Sequence, residues 1–265
     1  MIPIIKWTLW QRRWSRLWWC IGIISLIVLT LALYPTIRDQ AAQLNKSFGG
    51  FSQSTLALFG GTDFFSPIGY LNSQIIYFTL PLILSILAIG LGSNLIGREE
   101  TDTTLEALLA RPISRSRLLV AKALAGIFEV FFITFIASAV IVGLAKLVNL
   151  GIPLGSIIAA CLACLLLVLT FGAVAFLLSA TGRGRAAALG IAVVYAFGGY
   201  IIGSLSGTVH WLKSPSLIFP YHYYRTADIL HGIFSWSSVV FFVAFTFGCG
   251  VLAWLSFRQR DLQSR

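Results

Sequence analysis

The sequence predicts an all-α integral membrane protein with six spanning helices, and two features of its composition support this prediction. Hydrophobic residues make up 58% of the 265 residues, and the mean hydropathy is +0.89. Charged residues make up 11% of the chain, whereas about 25% is usual in a soluble globular protein. A water-soluble fold of this length cannot hide so many apolar side chains, which excludes a soluble enzyme or binding domain.

Six apolar stretches are long enough to cross a bilayer. A spanning helix needs about 20 mostly apolar residues, because its backbone polar groups must be paired within the segment. The stretches are 17–36, 73–97, 117–146, 153–180, 186–208 and 234–257, and the fourth and fifth contain no Asp, Glu, Lys or Arg. We therefore predict a single transmembrane domain over residues 1–265.

The first 16 residues have a different pattern. Trp7, Trp10 and Trp14 alternate with cations in this segment. Tryptophan and cations together are typical of an amphipathic helix that lies in the membrane interface. We predict an interfacial helix over residues 1–16.

The distribution of cations predicts the orientation. Six spans put both termini on the same side of the membrane. With both termini inside, only five of the 19 Lys and Arg residues lie outside, namely Arg38, Lys46, Lys146, Lys213 and Arg225. By the positive-inside rule we predict a multi-pass protein of the cell (inner or plasma) membrane with cytoplasmic termini. The net charge of +10 is then a topology signal, and we expect no nucleic-acid partner.

The segment 98–116 joins the second and third stretches on the predicted cytoplasmic side. Thr103 and Glu106 have the spacing of a capping box, which predicts the start of a short helix. Pro112 ends this helix, because the residue before a proline is disfavoured in the α region. The helix has an apolar face of three leucines, which suits either docking into a groove of a partner or resting on lipid headgroups.

The string GREETDTTLEALLARPISRSRLLVAK at 97–122 resembles the signature of ABC-2 type transporter permeases. Residues 58–74, 220–232 and 257–262 are also similar to such permeases. Thr103 stands where they usually carry glycine. The resemblance implies the ABC-2 type permease fold and the membrane-spanning half of an ABC exporter, which couples ATP hydrolysis in a separate ATPase subunit to substrate translocation.

In such permeases the loop between the second and third spans contains the coupling helix, which contacts the ATPase. Carried over to this chain, the contact residues are Glu99, Glu100, Thr104, Leu105, Glu106, Leu108, Leu109, Arg111 and Pro112. The resemblance also implies two copies of a cytoplasmic ABC ATPase, which bind ATP and Mg²⁺, and a second permease chain in a homodimer or heterodimer. No cofactor is expected in this chain, and we do not expect it to be an enzyme.

Three motifs suggest other functions. Residues 92–97 have the glycine spacing of a Walker A motif, but Arg98 and Glu99 stand where Lys and Ser or Thr are required. The pair at Cys161 and Cys164 is a metal site or, as we favour, two small residues packed in a helix. Three histidines near Ser204 suggest an enzyme that acts within the membrane. An ATP-independent carrier or channel is a further alternative function.

Glu129 lies within the third stretch, where a carboxylate is costly and therefore a functional candidate. It is predicted either to line the translocation pathway or to fix helix packing. Tyr195 and Tyr200 in the fifth stretch are further candidates for the pathway, although aromatic residues in membrane helices more often pack or anchor.

The fifth stretch also has glycines at every fourth position. Gly199, Gly203 and Gly207 form a ladder of small residues that permits close packing. We predict that the ladder faces a neighbouring helix or the second protomer.

Overall fold

The computed structural model describes residues 2–41, 52–60, 64–101 and 114–259; the side chains of 98–101 and 115 are not described. No strand occurs within these ranges, and six helical segments are long and apolar enough to span a membrane. They are Arg13–Asp39, Pro67–Gly97, Ser116–Leu147, Leu154–Ala180, Arg185–Leu205 and Trp236–Gln259. The predicted all-α class with six membrane-length helices is therefore confirmed.

Twelve α-helices build the described part of the chain. They are α1 (Ile2–Gln11), α2 (Arg13–Ala32), α3 (Tyr34–Asp39), α4 (Gln53–Leu58), α5 (Pro67–Leu71), α6 (Thr79–Thr101), α7 (Arg115–Leu147), α8 (Leu154–Ala180), α9 (Arg185–Leu205), α10 (Lys213–Ser216), α11 (Thr226–Leu230) and α12 (Trp236–Gln259). A π-helical turn at Asn72–Ile76 and 3₁₀ turns at His210–Leu212 and Pro220–Tyr223 complete the described elements.

The second and fourth spans form the centre of the bundle. In the most apolar 18-residue stretch of the second span, 61% of the residues are buried, and in that of the fourth span 50% are buried. The corresponding share is 17% in the fifth span and in the sixth. A helix that packs on several sides loses its lipid contact, so this difference places α6 and α8 inside. The other spans expose large apolar side chains on the surface of the bundle.

Glycine allows α6 and α8 to cross with their backbones in contact. A Cβ atom added at Gly92 would lie 2.9 Å from the backbone N of Phe176 and against the carbonyl oxygen of Gly172. A Cβ at Gly172 would lie 3.2 Å from the Cβ atom of Ala88. Small residues at a crossing let two membrane helices approach closely and gain dispersion contact. Gly92 is therefore a packing residue, although its spacing from Gly97 imitates a nucleotide-binding loop.

The helices on either side of residues 102–113 have clear ends. Ser114 is the N-cap of α7, and its side chain accepts a hydrogen bond from the backbone N–H of Arg117 at 3.4 Å. Near this end a second apolar cluster joins α6, α7, α8 and α12; its buried members are Leu95, Ile96, Leu119, Phe176, Ala180, Ala253 and Phe257. The described end of α6 and the start of α7 are thus tied to the rest of the bundle.

We predict that Gly92→Ala destabilises the protein by about 1–3 kcal/mol, because the added methyl group meets fixed backbone atoms of α8. The measurement is the unfolding midpoint of the purified chain in detergent. Gly90→Ala is the matched control, because nothing lies within 4 Å of a Cβ atom at Gly90. Alanine there gains helix propensity without a clash. Equal midpoints for the two variants would contradict the close crossing.

Candidate functional site

Glu129 on α7 is paired with the N-terminal segment, by which we mean residues 2–16 (α1, Arg12 and the first turn of α2). The Nε atom of Arg12 donates to both carboxylate oxygens of Glu129, at 3.2 and 3.1 Å. The Glu129 side chain is 1% exposed and that of Arg12 is 25% exposed. A carboxylate removed from water needs an opposite charge or hydrogen-bond donors, and Arg12 supplies both.

A break in the helix directs Arg12 toward Glu129. The backbone of Arg12 has φ −100° and ψ 8°, so α1 ends before it and α2 begins after it. Arg16, one turn into α2, donates from Nη2 to the carbonyl oxygen of Leu9 at 2.6 Å, and its charge also acts on Glu129. This bond fastens α1 to α2 across the break. Arg12 is therefore the ion-pair partner of Glu129, and Arg16 holds the break in place beside it.

The partner of Glu129 was not predicted from the sequence. The cation nearest to Glu129 on α7 is Lys122, which lies two turns earlier on the same helix and is also buried. Arg12 is 117 positions away in sequence, so local spacing on α7 gives no indication of it. The sequence feature that could have indicated this partner was the group of cations before the first span, because a buried carboxylate requires an opposite charge.

The tyrosines of the fifth span are held by backbone carbonyl groups. Tyr195 donates to the carbonyl oxygen of Ile218 at 3.0 Å, and Tyr200 donates to that of Leu58. The ring of Tyr195 also lies 5.3 Å from that of Phe219. Among the described contacts, no hydrogen bond or ring contact joins either tyrosine to Glu129. A shared translocation pathway for these three residues therefore stays a prediction.

Tyr200 belongs to a group of four contacting tyrosines, which we call the tyrosine cluster: Tyr77, Tyr200, Tyr221 and Tyr224. Tyr224 donates to the carbonyl oxygen of Ile76 and Tyr221 to that of Tyr77, each at 2.7 Å. Burial raises the pKa of Tyr221 and Tyr224 well above the usual value near 10, so both hydroxyl groups remain donors.

The tyrosine cluster and its neighbours supply hydrogen bonds to the irregular start of the second span. A π-helical turn shifts the carbonyl groups out of the regular α pattern. Within the π turn, Asn72 accepts a hydrogen bond from Thr226 at 2.6 Å and donates to the carbonyl oxygen of Gly60 at 3.1 Å. Side chains of the segment before the sixth span therefore replace the hydrogen bonds that water cannot supply in lipid. Sequence reasoning identified Tyr200 but missed its partners.

Two of the three glycines in the ladder of the fifth span face the segment before the sixth span. A Cβ atom at Gly203 would lie 2.9 Å from the Cβ atom of Tyr221, and one at Gly199 would lie 3.0 Å from a ring carbon of Phe219. A Cβ atom at Gly207 would meet nothing within 4 Å. Gly199 and Gly203 thus pack closely, but against residues 219–222 rather than a long helix of this chain.

The side chains considered for other chemistry have structural partners. Ser204 shares a hydrogen bond with the hydroxyl of Tyr77 at 2.7 Å, and His222 Nδ1 shares one with Ser216 at 2.9 Å. Burial and the charge of Arg225 lower the pKa of His222, which favours the neutral ring. Ser216 is fully buried, so a substrate cannot reach its hydroxyl group.

The two cysteines of the possible metal site, Cys161 and Cys164, are buried and free. Within the described ranges, no group of three or more His, Cys, Asp or Glu residues could hold a metal ion. The buried positions of both side chains in α8 agree with the packing interpretation.

The predicted partner contact lies mostly outside the described residues. The backbone of α6 continues through Glu99 and Glu100 to Thr101. Thr104, Leu105, Glu106, Leu108, Leu109, Arg111 and Pro112 lie outside the described residues, as does the predicted capping box at Thr103. The coupling helix therefore stays a prediction.

The arrangement of six spans agrees with the comparison with known families. The profile of a family described as ABC-2 family transporter protein matches residues 2–262. The chain belongs to the ABC-2 transporter family. Membership makes it a multi-pass permease of an ABC transporter, and it implies association with an ABC ATPase. A permease of the ABC-2 family is the membrane component and is not itself catalytic. No curated protein matches the chain significantly.

We predict that Arg12 and Glu129 are energetically coupled in this ABC-2 permease. In a double-mutant cycle with Arg12→Gln and Glu129→Gln, the coupling free energy should be about 0.5–3 kcal/mol, because either single change leaves a partner unpaired. Denaturant unfolding in detergent measures it.

Arg13 provides the matched control for this cycle. It is exposed, and its guanidinium carbon lies 4.3 Å from the ring centre of Trp10. Arg13→Gln and Glu129→Gln should therefore be additive within error. A coupling to Arg13 as large as that to Arg12 would contradict the specific pair.

Proposed function

We propose that the chain is the membrane-spanning half of an ABC exporter, driven by a separate cytoplasmic ATPase subunit. The observation that carries the proposal is the family match over residues 2–262, together with the sequence at 97–122. Two permease chains, alike or different, and two ATPase chains form the complex. ATP and Mg²⁺ are bound by the ATPase and supply the free energy.

The contact with the ATPase is formed by residues 99–112. Leu105, Leu108 and Leu109 form the apolar face of the predicted helix, and acidic and basic residues flank it. Apolar side chains in a groove give affinity, and the flanking charges set the orientation. This segment connects α6 directly to α7, so a force on it acts on both helices.

The transport step is a change of population between two states. Closure of the ATPase pair favours one position of the coupling helix, and the spans then change from inward to outward access. A ligand shifts such an equilibrium only by its differential affinity for the two states. The coupling helix is the element through which that difference reaches the membrane.

Glu129, Tyr195 and Tyr200 have different roles in this proposal. Glu129 holds the N-terminal segment to α7, supported by the buried pair with Arg12. Tyr195 and Tyr200 bind carbonyl groups of the segments next to α9 through their hydroxyl groups, and their rings are the part that can contact a substrate. Glu129→Gln lowers transport by loosening the N-terminal segment.

We predict that Leu105→Asp combined with Leu108→Asp abolishes co-purification of the ATPase or uncouples its ATP hydrolysis from transport. A carboxylate in an apolar groove loses its hydration without a partner. The measurements are pull-down of the ATPase and transport by the reconstituted complex.

Ala107→Asp with Ala110→Asp is the matched control, because both positions lie on the opposite face of the predicted helix. This control should retain the ATPase. If the double leucine variant also keeps full binding and coupled transport, the docking role is wrong, and an ATP-independent carrier becomes the better function.

The proposed orientation has its own prediction. A cysteine introduced at Thr103 should react with a membrane-impermeant maleimide only after the cells are opened, whereas one at Lys213 should react in intact cells. Of the four native cysteines, Cys161, Cys164 and Cys249 are buried and give little background; Cys20 is half-buried, so both variants are made in a Cys20→Ala background. Labelling of the Thr103→Cys variant from outside would overturn the orientation and, with it, the ATPase contact.

A further inference from the structure

The N-terminal segment presents different cations on two sides. On the side toward α7, Arg12 is bound by Glu129. On the other side Lys6, Trp7 and Trp10 are exposed, and both tryptophan residues are 58% exposed. A cation that is already paired with a carboxylate is not available to another ligand, so only the second side can recruit one.

The exposed side is organised by ring contacts. The rings of Trp7 and Trp10 stack with centres 6.4 Å apart, and the guanidinium group of Arg13 lies over the ring of Trp10 at 4.3 Å. Trp14 continues this surface and is 64% exposed. We call the surface formed by Lys6, Trp7, Trp10, Arg13 and Trp14 the N-terminal face.

Both charged side chains of the N-terminal face, Lys6 and Arg13, are cations. Residues 1–38 contain no Asp or Glu, so no acidic residue of the segment itself competes for Lys6 or Arg13. Glu129, the carboxylate that the segment contacts, lies on the opposite side. Indole rings prefer the headgroup level of a bilayer, and exposed cations beside them are attracted to negative headgroups.

We propose that the N-terminal face is a binding surface for anionic phospholipids. Lys6 and Arg13 contact the negatively charged headgroup, while the three indole rings lie at the boundary between headgroups and acyl chains. Long cationic side chains reach the headgroups from such a position, because their stems can remain in the apolar region. The proposal does not depend on the ATPase, since it concerns only this chain and the bilayer.

The test uses the full chain in phosphatidylcholine vesicles that contain a minor fraction of phosphatidylglycerol. Either lipid carries brominated acyl chains, which quench nearby tryptophans, and the ratio of the two quenching strengths gives the lipid preference. Wild type should prefer phosphatidylglycerol. Lys6→Gln and Arg13→Gln should each reduce that preference by up to about fivefold, and high salt should also reduce it.

Two controls separate a specific surface from a general effect of charge. Lys213→Gln removes an exposed cation near the exposed Trp211 at the other end of the bundle and should keep the preference. Trp7→Phe with Trp10→Phe keeps both cations and should lower the preferential quenching, because two of the eight reporting rings are lost. An unchanged value would place the signal away from the N-terminal face and would contradict the proposal.

Two outcomes would overturn the proposal. One is an unchanged preference in the double variant Lys6→Gln, Arg13→Gln; if that variant also no longer binds the ATPase, the occupant of the face is the protein partner. The second is an equal loss in Lys213→Gln. Failure of transport in a chain that keeps its lipid preference would count against the exporter function alone.

Discussion

The contact between the backbones of α6 and α8 is the constraint on which the rest of the structure depends. Lipid provides no hydrophobic force between two apolar helices, so their association rests on close packing. Gly92 and Gly172 remove the side chains that would hold the helices apart. The other spans then arrange themselves around this pair and keep apolar surface toward lipid. A larger residue at either glycine would separate the two most buried helices.

A second constraint acts where helices are interrupted. The π-helical turn before α6 and the 3₁₀ turns between α9 and α12 have backbone groups that regular helices would pair internally. Two tyrosines of the cluster donate to carbonyl groups at the end of the π turn, and the hydroxyl of Tyr224 reaches a carbonyl 148 positions earlier in the sequence. The aromatic content of residues 219–224 therefore has a structural reason. It attaches the segment before the last span to the start of the second span.

The sequence was sufficient to predict the class and the number of spans, because the thickness of a bilayer fixes the length of an apolar run. It was insufficient for contacts between spans. Glu129 was recognised as unusual, but hydropathy cannot show that Arg12 lies beside it. At Gly199 and Gly203 the packing partner is the segment at 219–222. Periodicity could not indicate this partner, because it reports which face is small and not what covers it. The predicted contact with the ATPase stays a prediction.

The position of the Arg12–Glu129 pair gives the N-terminal segment a place in the proposed coupling. α7 begins directly after the predicted coupling helix, and Glu129 lies on α7 about 21 Å along the axis from its first residue. A rigid displacement of α7 therefore moves Glu129 and, through the ion pair, Arg12. Because Arg12 stands at the break between α1 and α2, the movement can change the angle between these two helices. α6, on the other side of the coupling helix, carries the same displacement to the crossing with α8. In the proposed coupling, one short segment between α6 and α7 therefore acts on the centre and on the periphery of the bundle at once.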